Sequence, residues 1–144
     1  MSLEHLFDAE LRHQPGTEPL LSAAEGDGEP IGSGDGTVTG PRLAGNLHWT
    51  LFEHPGELVC AMNPVAVIET EDGAQVRLEA RGYAQRRSAD ERIWRVAATL
   101  RFESDDERYR WLGQRLGIWE GQFDADAARA SYRAYVQTEG RESE

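Results

Sequence analysis

The sequence predicts an all-β fold: a roughly eight-stranded, antiparallel, up-and-down (calycin-like) barrel with one short helix. Three observations lead there. Apolar and polar residues alternate over successive segments between Arg42 and Thr138, the period of a strand with one buried face. The breaks between segments are short and contain turn formers, as at Pro55-Gly56 and Asp72-Gly73, which favours strands joined in series. Only one stretch carries helix-terminus signals.

Taken in order, Leu3 to Arg12 alternates loosely and gives a first strand. Residues 13–37 then collect Pro15, Gly16, Pro19, Gly26, Gly28, Pro30, Gly32, Gly34 and Gly36. This reads as a long loop, broken at most by a short element around Leu20 to Ala24, and it is either a lid over a cavity or a passive segment. It is no phosphate cradle, because it lacks the P-loop lysine and no helix follows it. The remaining strands are expected over Arg42 to His54, Glu57 to Thr70, Ala74 to Ala84, Ile93 to Phe102, Leu116 to Asp124 and Ala128 to Thr138. Residues 1–138 form one domain, and the charged residues 139–144 a frayed tail.

The helix signal lies between the strands expected over Ile93 to Phe102 and Leu116 to Asp124. Ser104 is placed to cap it, with Glu107 at capping-box spacing and Asp105 and Asp106 in the first turn, where the helix dipole favours negative charge. Tyr109, Trp111 and Leu112 supply an apolar stripe, and Gly113 a stop. A helix over Asp105 to Leu112 is too short to stand alone, so it is expected to plug or strap the sheet.

The same stretch carries a resemblance. Arg101-Phe102-Glu103-Ser104 followed by Glu107-Arg108-Tyr109-Arg110-Trp111-Leu112 resembles a segment of an uncharacterised family of small β-barrels, domain of unknown function three-two-three-seven. Gly40-Pro41-Arg42-Leu43-Ala44-Gly45, Trp49, Thr70-Glu71-Asp72-Gly73-Ala74, Gly82 and Tyr132-Arg133-Ala134-Tyr135-Val136 follow that family's order. The resemblance implies a fold and no established reaction. It also implies an acidic residue before the tryptophan, where this chain has His48 before Trp49. A second acidic position, near residues 62–64, is absent.

Composition narrows the function. The chain has 144 residues and a formal net charge of −11, from 26 acidic and 15 basic residues. That disfavours nucleic acid and anionic membranes as partners. Every basic residue is arginine, so lysine Schiff-base chemistry is excluded. Cys60 is the single cysteine, which leaves no intrachain disulfide. With a charged, broken N-terminal stretch and no apolar run of membrane-spanning length, the expected setting is cytoplasmic.

Turn geometry gives the facing of the strands. A two-residue turn at Asp72-Gly73 would pair Val67 with Leu78 and Val65 with Ala80, putting Val65, Val67, Val76, Leu78 and Ala80 inside. A two-residue turn at Pro55-Gly56 would pair His48 with Asn63, Thr50 with Ala61 and Phe52 with Val59, also inside. Leu47, Trp49, Leu51, Cys60 and Met62 would then form an outer apolar patch suited to a homodimer contact, unless Pro64 marks a bulge that exchanges the faces. Trp94, Val96, Ala98, Leu100 and Phe102 share the inner face of one strand, and Ala128, Ala130, Tyr132, Ala134 and Val136 that of another. So many inward alanines leave room for one small ligand.

No metal is expected, since His48 and His54 stand roughly 20 Å apart along an extended strand and no other ligand spacing is present. No cofactor is expected either. Cys60 and His48 face opposite ways, and no serine sits in a nucleophile elbow. What remains is acid/base work in the cavity, with His48 and Glu120 as catalytic candidates and Asn63, Trp94 and Tyr132 as ligand contacts. Each has a plainer reading: a core histidine satisfied by Asn63, a rim charge, a packed ring. The functional expectation is a small-molecule-binding barrel, acting as a cofactor-free isomerase, cyclase or lyase on a small apolar or aromatic ligand. The alternatives are a non-catalytic binding protein and a structural subunit with a filled barrel.

Overall fold

Eight strands that each present one apolar face can satisfy every ladder and bury every such face by closing on themselves, and this is what the chain does. The computed structural model describes residues 2–13 and 28–138. Its strands are β1 (Leu3–His13), β2 (Glu29–Thr39), β3 (Gly45–His54), β4 (Val59–Thr70), β5 (Gln75–Gln85), β6 (Ile93–Glu103), β7 (Gly117–Asp124) and β8 (Arg129–Gln137). Each pairs antiparallel with its neighbours in sequence, and β8 returns to β1 to complete a closed barrel. Among the described residues no helix is long and apolar enough to cross a membrane.

Two expectations about elements are corrected. The glycine-rich residues assigned to a loop include β2, whose inward positions Gly34 and Gly36 stand beside Trp49 and Leu47. A side chain at Gly34 would collide with the Arg12 carbonyl and come within 2.7 Å of the Trp49 ring, so glycine there makes room for an indole rather than breaking a strand. The suggested element around Leu20 to Ala24, and the tail at 139–144, lie outside the described residues. The one short helix is a 3-10 turn over Arg110–Gln114, later and tighter than the helical turns expected from Asp105.

The 3-10 turn does strap one end of the barrel. Leu112 is fully buried and Tyr109 nearly so, while Arg42 stacks 3.8 Å above the Trp111 ring. The Tyr109 hydroxyl donates to Asp72 at 2.7 Å, and Arg108 reaches both Asp72 and Asp106. Ser104 accepts from the Asp106 amide and donates to the Gln75 carbonyl. Hydrogen bonds from Arg108 hold the Asp106 carboxyl at about 2, below the ordinary 3.8. A carboxyl whose pKa falls on folding stabilises the fold above its unfolded pKa, and that stabilisation fades as pH drops through the folded value. Asp106→Asn should therefore lower the urea midpoint at neutral pH. The gap from the natural chain should close between about pH 4 and 2; a gap unchanged at pH 2 would show that the Asp106 charge is not its source.

Register explains which side chains reach the interior. Between β4 and β5 the turn has three residues, Glu71 to Gly73, with Ile68 opposite Val76 and Ala66 opposite Leu78. The expected two-residue turn was off by one, and a one-residue shift exchanges the faces of a strand. Between β3 and β4 the connection is wider than Pro55-Gly56, pairing His48 with Val67 and Phe52 with Asn63. Leu47, Trp49, Leu51, Cys60, Met62, Ala66 and Ile68 therefore belong to the interior. The expected outer patch does not exist, and with it goes the argument for a homodimer through that patch. Val67 and Ala61, assigned to the interior, are only half-buried on the outer side, and Thr50, Phe52, Asn63 and Val65 are buried there. The inward sets on β6 and β8 are as expected.

Pro64 sits mid-ladder without a bulge. The register on either side places it across from Ala80, whose carbonyl loses a backbone donor there. The Asn63 side-chain amide replaces that donor at 2.7 Å. Asn63 thus repairs the ladder, and it stands across from Phe52 rather than His48.

Candidate functional site

The inward alanines of the barrel's middle do leave space, and Trp119 takes it. Trp119 lies between Ala98 and Ala134 in the ladder, is 1% exposed, and stacks on Tyr132 with ring centroids 4.3 Å apart and planes 8° from parallel. Its indole N–H is buried without a partner among the described residues. Tyr132 of this pair forms a floor, with Trp119 stacked against it. Beyond it, at the end away from the 3-10 turn, a cavity of about 310 Å³ opens, at the low end of the range for small-molecule sites.

Its walls are apolar. Leu11, Leu51, Met62, Pro64, Ala84 and Ala130 supply aliphatic surface, and Trp49, Trp94, Phe123 and Tyr132 supply rings. Trp49 is fixed by its N–H donating to the Asp35 carbonyl at 3.3 Å. Trp94 is held from outside by the Arg86 guanidinium, 4.3 Å over its ring. Arg86 also donates to the Glu57 and Glu91 carbonyls, so one side chain ties together the two loops at the mouth.

Few polar groups face this space. His13, at the end of β1, lies beside Gly32 and 6.0 Å from the Trp49 ring. Glu53, the next inward position after Trp49 and Leu51 on β3, is half-buried, and loss of hydration pushes its carboxyl pKa up. Burial likewise pushes the Tyr132 phenol up. Cys60 is a buried free thiol donating to the Gly56 carbonyl at 3.3 Å. Among the described residues, no group hydrogen-bonds the Glu53 carboxylate or the Tyr132 hydroxyl.

A family model described as Protein of unknown function (DUF3237) matches residues 1–137. The chain belongs to the DUF3237 family. No curated protein matches it. Solved structures show the same fold at low identity. A Clostridium acetobutylicum protein of unknown function is 15% identical with a TM-score of 0.68, covering 96% of this chain and 100% of its own. A conserved protein of unknown function from Rhodopseudomonas palustris is 20% identical at 0.66, covering 94% and 97%. A chain named only as an enzyme, from Penicillium herquei, is 18% identical at 0.60, covering 94% of both.

Within this DUF3237 barrel the residues expected to form the site separate. Trp94 and Tyr132 line the cavity together. His48, the residue in the position where the family resemblance implies an acid, is exposed on the outer wall in a shallow groove with Asn46 and Asp35. Glu120 is exposed in another outer groove, next to the inward Trp119. Both corrections follow from strand alternation: one neighbour of each tryptophan must face out when the tryptophan faces in. Glu53 and His13 were missed. The alternation Leu47, Trp49, Leu51, Glu53 carried the signal for Glu53. His13 was hidden by being counted into the glycine-rich loop.

Proposed function

We propose that this DUF3237 protein binds one small, largely apolar or aromatic molecule in the barrel cavity. We further propose that it acts on that molecule by cofactor-free acid/base chemistry of the isomerase, cyclase or lyase type. The observation that carries the reading is the cavity itself: an apolar, aromatic-walled space whose ionisable lining, among the described residues, is His13, Glu53, Cys60 and Tyr132. A carboxyl whose pKa is raised by burial is suited to proton transfer. Glu53 and His13 are therefore the assigned proton-transfer groups, with Trp94 and Tyr132 as ligand contacts. His48 and Glu120 face away and are given no role. A cytoplasmic setting suits a chain whose single cysteine is a free thiol.

The alternative, a non-catalytic binding protein using the same cavity, is favoured by one observation. Among the described residues nothing hydrogen-bonds Glu53 to orient it, whereas a catalytic carboxyl is commonly held by a neighbour.

Occupancy of the cavity is tested with the neutral fluorophore N-phenyl-1-naphthylamine, whose emission rises in apolar surroundings. Ala130, across the ladder from Leu11 and Phe123, points into the space. Ala130→Phe should fill it and weaken dye binding by about tenfold or more, while the ring enters open volume and leaves folding intact. Unaltered dye affinity in a folded Ala130→Phe variant would mean that the dye binds elsewhere and that the cavity is not the site.

A further inference from the structure

The polar groups of the cavity are unequal in charge. Among the described residues its lining contains one carboxyl, Glu53, and no arginine; the chain has no lysine. Four aromatic rings, Trp49, Trp94, Phe123 and Tyr132, surround the same space, and ring faces carry negative electrostatic potential. Among the described residues the other ionisable groups facing it are His13 on β1, Cys60 on β4 and Tyr132 on β8. Arg86 is spent on the outside of Trp94, stacked on its ring and bonded to two loop carbonyls. The carboxylate thus stands in an apolar wall with no counter-charge among the described residues.

The position of the carboxyl along the barrel adds direction. Glu53 is the penultimate residue of β3, at the mouth, and only half-buried. The aliphatic wall and the Tyr132 ring lie deeper. Full burial of an ion pair costs more hydration than the pair returns, but a pair formed at the mouth keeps part of its water. Apolar bodies gain from the deeper part by leaving water.

We propose that the ligand is an organic cation: a small apolar or aromatic body inserted toward Tyr132, with a protonated amine at the mouth paired to Glu53 and facing the aromatic walls. Charge-assisted hydrogen bonding to the carboxylate and attraction to the ring faces act on the same nitrogen. The inference rests on the cavity being the ligand site, and it concerns recognition, whatever chemistry follows.

Tryptamine and tryptophol share an indole body and differ in presenting an ammonium or a hydroxyl. Calorimetry at pH 7.5 in physiological salt should give tryptamine the lower dissociation constant, by about tenfold or more. Glu53→Gln should abolish the preference. Glu120→Gln, which removes an exposed carboxyl from the outer wall, should leave it intact and so exclude attraction to the chain's overall negative charge. Equal binding of amine and alcohol, or a preference that survives Glu53→Gln, overturns the cationic assignment. If N-phenyl-1-naphthylamine still binds in that case, the cavity reading stands. If neither indole probe nor the fluorophore binds, the cavity reading fails and the cationic assignment falls with it.

Discussion

Trp119→Ala will lower the stability of the barrel by about 3–5 kcal/mol, the usual cost of emptying a fully buried tryptophan site. The size follows from what surrounds the indole. Its ladder neighbours Ala98 and Ala134 are already small and Tyr132 loses its stacking partner, so no side chain can swing in to fill the void. A closed barrel resists collapse as well, because every strand is fixed on both edges. The urea midpoint should fall with little change in the slope of the transition. A loss below about 1 kcal/mol would mean that the interior relaxes around the void, and the floor would not be the rigid element described here.

The second large effect is on turnover. Once a substrate is in hand, Glu53→Gln and His13→Ala should each reduce kcat by roughly 10²–10⁴-fold, the range for loss of a positioned proton-transfer group. The comparison belongs at saturating substrate, so that weaker binding through Glu53 is not mistaken for lost chemistry. His48→Ala and Glu120→Gln should turn over as the natural chain does, since both side chains are exposed on the outer wall. Normal kcat in both Glu53→Gln and His13→Ala would remove the acid/base assignment. A ligand that binds beside Glu53 without ever being converted would establish the binding-protein reading.

The barrel was legible in the sequence because alternation in β6 and β8 is clean: Val96, Leu100 and Phe102, and Ala130, Tyr132, Ala134 and Val136, all lie where their period puts them. The site was less so, because it hung on one turn. Asp72-Gly73 resembles a two-residue hairpin turn, but Gly73 is one of three loop residues, with a backbone φ of 89°. One residue of register moved Trp49 from outside to inside and His48 from inside to outside. The side chains held the better clue: Leu47, Trp49 and Leu51 outweigh His48, Thr50 and Phe52 in apolar surface, and burial favours the larger set. β2 was hidden for a different reason. Glycine normally weakens a strand, and nothing local reveals that its missing side chains leave space for the indole of Trp49.

Closure of the barrel between its first and last strands bears on how the chain matures. β1 pairs with β2 on one edge and β8 on the other, and the Thr138 amide donates to the Ser2 carbonyl. As the chain emerges during synthesis, the free edge of β1 has to wait for the last strand to be made. Until then a half-formed sheet exposes two adhesive edges and the apolar concave face that will become the cavity. Pairing across almost the whole sequence also makes folding slow relative to proteins with local contacts. Growing chains should therefore be vulnerable to edge-to-edge association in crowded polysomes, a hazard that disappears when β8 docks.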